Sequence, residues 1–224
     1  ATDTHLIAPD FPGFGHSDAP PPSSYTYTFD QLAKTIDAFL EKLKIDKYTL
    51  YLHDYGAPVC FRIMLMHPER VHALIIQNGN IYEDGLGSKW KKIAEYWADP
   101  EAHPEVVNAF LSFEATEQRH TAGTSHPERY NPDTWTDEYA HLSKPGQREI
   151  QAALLYDYRT NVASYPKWQA WLKASHRVLP GMRAAMLIDG RAVYRRRYLR
   201  DGYEDEIDGK AERWSRRHIW AAAA

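Results

Sequence analysis

The octapeptide Tyr51-Leu52-His53-Asp54-Tyr55-Gly56-Ala57-Pro58 sets a carboxylate between an apolar run and a helix-like run. A carboxylate at the tip of a buried strand is costly unless it is paired or used. Two uses fit the residue types. Asp54 can cap the following helix, as Asp does at many helix starts. Alternatively it can stand at a sharp strand-to-helix turn and project at the C-terminal edge of a sheet, where ligands of open α/β sheets bind. That is the geometry of a nucleophile elbow, normally Gly-x-Ser-x-Gly, here with Asp at the centre and Gly56 two residues later. Gly56 is then expected to let the helix backbone approach closely. The positive dipole end of the helix would stabilise an ionised Asp54. Asp54 therefore either caps the helix or does chemistry.

Such a turn needs a strand before it and a helix after it. Residues 47–52 (KYTLYL) are rich in aromatic and branched side chains and too short for a helix, so they read as a buried strand. Residues 57–67 are apolar nearly all round and read as a buried helix, with Pro58 in its first turn and Pro68 stopping it. Residues 71–76 (VHALII) read as the next strand. Upstream, residues 5–9 (HLIAP) read as a strand entering the Gly13-Phe14-Gly15 turn, which Asp10 is expected to order. Leu32, Ile36, Phe39, Leu40 and Leu43 recur at helical spacing, with Thr28 or Asp30 placed to cap the start. Strand, helix, strand, helix, strand with short links predicts a parallel sheet.

After residue 80 the pattern turns helical, with stretches at 104–113 and 148–158, and only residues 186–188 suit a further short strand. The expected organisation is a partial core over 1–80, an all-helical cap over 81–172 and a divergent segment over 173–224.

Composition narrows the class. Hydrophobic residues at 43% and charged residues at 25% mark a globular chain and not a disordered one. A formal net charge of −3 gives no electrostatic case for nucleic acid or an anionic membrane as a partner. The single cysteine, Cys60, rules out an internal disulfide framework and a multi-cysteine metal site, and fits a reducing, cytoplasmic compartment. No apolar run approaches the length of a membrane span. The chain starts without Met and enters a strand almost at once, which reads as a fragment or a processed form.

Residues 7–18 (IAPDFPGFGHSD), 52–59 (LHDYGAPV) and 67–71 (HPERV), in this order and spacing, resemble the α/β-hydrolase superfamily. More narrowly they resemble its aspartate-nucleophile branch, the epoxide hydrolases and haloalkane dehalogenases. The resemblance covers residues 5 to roughly 172. It implies Asp54 as nucleophile, attacking carbon to give an ester, the backbone N–H of Tyr55 as one oxyanion-hole donor, and a histidine-activated water that hydrolyses the ester. In Tyr158-Arg159-Thr160-Asn161 it implies that Tyr158 binds substrate by donating to the epoxide oxygen. It also implies a small uncharged organic substrate, with no cofactor and no metal.

The chain departs from the pattern in specific places. Tyr55 stands where dehalogenases carry the Trp whose indole N–H holds the halide. Leu52 stands where many epoxide hydrolases carry Gly. The His-Gly-x-Pro loop of the family is not present before residue 5, and residues 177–224 hold neither a Trp-Gly-x-x-Asp nor a Gly-His run. No residue is therefore assigned as the catalytic histidine or acid. Asn78 occupies the family's alternative acid position, and an amide cannot serve there. His53 adjoins Asp54, but strand neighbours face opposite sides, so it is not read as the base. His218 and the arginine runs at 195–197 and 216–217 read as solvated. The expected function is epoxide hydrolase-like, with haloalkane dehalogenase-like second. A rival of another class is a catalytically incomplete fragment or binding protein of the same fold. The sequence does not give the oligomeric state.

Overall fold

The computed structural model describes residues 5–88, 90–178, 184–188 and 191–192. Helix α1 (Phe29–Lys42) carries Asp30 in its first turn and Lys42 in its last, so both ends complement the helix dipole. Strand β1 (Tyr48–His53) turns into α2 (Gly56–Met66), and a short 3₁₀ turn at Pro68–Arg70 leads into β2 (Val71–Gln77). Parallel strands cannot be joined by a tight hairpin, and α2 supplies the crossover between β1 and β2.

Strand β2 pairs in parallel with β1 on one side and with β3 (Ala184–Ile188) on the other, and β4 (Arg191–Ala192) runs antiparallel to β3. The sheet order is β1-β2-β3-β4. The register sets Leu50 opposite Leu74 and Leu52 opposite Ile76, so all four apolar side chains enter one core. The expected parallel sheet, and the strand expected at 186–188, are both present.

The strand expected at residues 5–9 is not formed, and Leu6 there is 74% exposed. A strand exists only through a ladder partner, and among the described residues β1 pairs with β2 alone. Apolar alternation without that neighbour leaves the segment irregular.

From residue 86 the described chain is helical until β3. It forms α3 (Trp90–Ala98), α4 (Pro104–Phe110), α5 (Phe113–Thr121), α6 (Asp133–Leu142), α7 (Gln147–Asp157) and α8 (Arg159–Val178). Helix starts follow local chemistry: Pro104 opens α4, and Ser112 Oγ accepts from the Ala115 N–H at 3.0 Å to cap α5. No described helix is long and apolar enough to cross a membrane.

Contacts divide the chain into two compact units. The first holds Phe29–Gly85, the described residues before Asp10 and those from Thr160 on; the second holds Asp10–Thr28 and Leu86–Arg159. In the first unit, Leu50, Leu52, Phe61, Met64, Leu74 and Ile76 pack with Tyr165, Trp168 and Leu172 of α8. Residues 160–172, which the sequence analysis groups with the helical insertion, thus share this core.

In the second unit Tyr96, Val107 and Leu155 form a smaller apolar cluster. Asp10 orders the glycine turn there as expected, accepting from the His16 N–H at 3.0 Å while its carbonyl accepts from Ser17 Oγ at 2.8 Å. Gly13, at φ +86°, allows that turn to lie against Ile150 and Tyr27, where a Cβ would come within 2.9 Å of each.

Candidate active site

Asp54 follows the last residue of β1, and its carbonyl accepts from the Ala57 N–H at 3.0 Å, which closes the turn into α2. Its φ is +40°. A capping aspartate normally keeps a φ in the β region. A left-handed φ on a residue with a Cβ costs of order 1–3 kcal/mol and persists only where its surroundings impose it. The position directly before α2 is taken by Tyr55, at φ −61° and ψ −23°. Asp54 is exposed, so the desolvation argument that singled it out in the sequence does not apply. Backbone strain replaces it: the chain holds an unfavourable conformation at the residue whose side chain stands outside the core.

The close approach expected at Gly56 is absent, since a Cβ there meets no described atom within 4 Å. The tight contact lies at Gly79, where a Cβ would stand 2.9 Å from Ala57 Cβ and 3.2 Å from Ile76 Cγ2. It is the segment after β2, and not the helix's own first residue, that nests against the first turn of α2. Gly79→Ala is therefore expected to destabilise by about 1–3 kcal/mol through overpacking. Gly56→Ala should stay within about 0.5 kcal/mol. Urea unfolding of both variants measures the contrast, and equal shifts would contradict the assignment.

The register pairs His53 with Gln77, so Asp54 and Asn78 each lie one residue past a paired strand end. Asn78 also has a positive φ, +50°. His53 Nδ1 lies 3.1 Å from the Gln77 carbonyl; a carbonyl only accepts, so that nitrogen carries the proton. The ring is held on the β1–β2 ladder.

Tyr55 is buried, with its ring edge-on to Phe29 of α1 at 5.1 Å. Tyr158, in the second unit, caps the C-terminus of α7 and is buried. Its ring lies 4.7 Å from Trp90 and 6.4 Å from Trp97, nearly parallel to the latter. Trp97 is itself fixed by its indole N–H donating to the Leu155 carbonyl at 2.7 Å. The candidates His218, Arg195–Arg197 and Arg216–Arg217 lie outside the described residues.

Two other groups with reactive potential are accounted for. Burial pushes the Cys60 thiol up to about 12, so it is protonated at neutral pH and is no rival nucleophile. A thiol reagent at pH 8 should label the native chain at least about 100-fold more slowly than the urea-unfolded chain; equal rates would show an accessible thiolate. Asp37, Glu41 and His67 come close enough to share an ion. They already form an ion-pair network, with His67 Nε2 3.0 Å from Asp37 and Arg70 3.4 Å from Glu41 and 3.7 Å from Asp37.

Arg62 is the residue the sequence reading missed. A signal was present: it is the single charge in the apolar helix sequence GAPVCFRIMLM, and a charge on a buried helix must find partners.

The sequence profile of the alpha/beta hydrolase fold matches residues 2–211. An uncharacterized hydrolase of Saccharomyces cerevisiae is 36% identical over 177 residues, which is 76% of this chain and 60% of that protein. An epoxide hydrolase 2 of Siraitia grosvenorii is 42% identical over 69 residues, 31% of this chain and 22% of the relative. Among solved structures, a mutant of the haloalkane dehalogenase DatA from Agrobacterium tumefaciens C58 superposes with a TM-score of 0.57 at 19% identity. That match covers 80% of this chain and 72% of the dehalogenase, and at such identity it speaks to fold alone. The chain spans about 60% of the yeast hydrolase's length.

Proposed function

The chain belongs to the alpha/beta hydrolase fold family, and from that premise we propose that it uses Asp54 as a nucleophile toward a small uncharged epoxide. The observation that carries the reading is the positive φ of Asp54 at the end of a parallel strand, directly before a helix. Residues held in such conformations cluster at active sites, and this is what ties the strain at Asp54 to a functional role.

In the proposed reaction one Asp54 oxygen bonds to an epoxide carbon, and the carbon–oxygen bond of the ring breaks. The electron pair passes to the ring oxygen, which takes a proton from solvent that the later hydrolysis of the ester returns. Water then adds to the ester carbonyl of Asp54, with the Tyr55 backbone N–H donating to the oxyanion. Cleavage of the acyl–oxygen bond releases a diol and restores the carboxylate.

Epoxide ranks above alkyl halide because of Tyr55. Dehalogenases of this branch hold the halide with an indole N–H at this place, whereas Tyr55 offers a phenol of different reach, with its ring edge-on to Phe29. Assay of the chain with styrene oxide and with 1-bromobutane, following diol and bromide, tests it. Diol formation or epoxide-derived adduct alone is the expected result, and bromide release without either reverses the order.

A further inference from the structure

The guanidinium of Arg62 donates four hydrogen bonds. Its Nε donates to Asp30 of α1; Nη1 donates to the Pro58 carbonyl at 3.1 Å and to Asn161 Oδ1 at 2.7 Å; Nη2 donates to Thr160 Oγ1 at 3.1 Å. Its carbon lies 5.7 Å from the ring of Phe29 and 5.4 Å from that of Trp168. One side chain of α2 thus bonds to both α1 and the first turn of α8, with aromatic rings close enough for cation–π attraction. The side chain is 10% exposed, while its one carboxylate partner, Asp30, is 74% exposed.

A buried charge with a single solvated counter-charge is a poor way to gain stability, because desolvation offsets most of the attraction. What the arrangement does supply is geometry. The planar fork fixes directions as well as distances, which an apolar residue or a point charge cannot do. Arg62 lies about two helical turns along α2 from Asp54. The helix it holds is the one whose first turn receives the Asp54 carbonyl and meets Gly79.

We infer that Arg62 is the positioning residue of the elbow: by locking α2 to α1 and α8 it fixes the Asp54 turn in its strained conformation. The inference rests on the nucleophile role proposed above for its consequence in rate, and on α2 alone for its consequence in mobility.

The experiment uses the full chain as wild type, Arg62→Met and Arg62→Lys, and reads two things. Amide hydrogen exchange is followed for the peptide holding the elbow and for a peptide within 133–157 of the other unit. Alkylation by styrene oxide is followed against concentration. In both variants the elbow peptide is expected to exchange about 10-fold faster or more, with the 133–157 peptide unchanged. The maximal alkylation rate is expected to fall by about 10-fold or more at an unchanged half-saturating concentration. Lysine restores the charge without the fork, so it should rescue neither readout.

Equal acceleration of both peptides would mean a merely structural role and overturn the inference. So would an unchanged elbow peptide, or full rescue by lysine. Wild-type chain that takes no label while the elbow peptide responds would sink the proposed reaction and leave the positioning role standing.

Discussion

Asp54→Asn should suppress covalent capture of a reactive epoxide by a factor on the order of 10³ or more, because an amide oxygen is a far weaker nucleophile than a carboxylate. The substitution changes little else. Asn tolerates the left-handed region as well as Asp, so the turn at φ +40° carries no added strain. Asp54→Gly separates reactivity from strain. It removes the nucleophile and relieves the positive φ, so it should abolish capture while raising stability by about 0.5–1 kcal/mol. Urea midpoints alongside the capture assay check both. Capture surviving in Asp54→Asn, or Asp54→Gly losing stability, would count against the strained elbow.

Trp168→Ala should carry the largest stability loss, about 3–5 kcal/mol. The ring is 1% exposed, stacks on Phe61 of α2 at 5.0 Å and 17°, and lies 5.4 Å from the Arg62 guanidinium carbon. Truncation removes the surface on which α2 and α8 meet, and at about 2–4 °C per kcal/mol the melting temperature should fall by roughly 6–20 °C. A fall under about 2 °C would mean the site collapses without cost, and that this core is not organised around Trp168.

The parts legible in the sequence are those whose cause is local. Residues 47–77 carry strand, turn, helix and strand in their own composition, with Pro58 and Pro68 marking the helix, and Asp54 could be placed at the turn from its neighbours. What depended on distant partners was not legible. Arg62 bonds to residues 98 and 99 positions later, and no periodicity announces that. Helix α8 looks like a continuation of the helical insertion, because spacing shows that a helix is amphipathic and not which core it faces. Residues 5–9 have a strand's composition and no described neighbour. The two glycines show the same limit: Gly56 fits the motif, yet the close contact belongs to Gly79, whose neighbour Ala57 is set by tertiary packing.

The ester step and its hydrolysis also differ in legibility. A nucleophile can be read from one turn, whereas the base that activates water, commonly worth about 10²–10⁴-fold, must come from elsewhere in the fold. No described histidine is assigned that role here. The ester on Asp54 is the product of the step that the described residues account for.

Peptide mass spectrometry after incubating the folded chain with styrene oxide therefore tests the central claim most directly. The account predicts a gain equal to the mass of the whole epoxide on the peptide containing LHDYGAP, with fragmentation placing it on Asp54. A chain shown to be folded by circular dichroism that carries the label on another residue, or carries none, would contradict it.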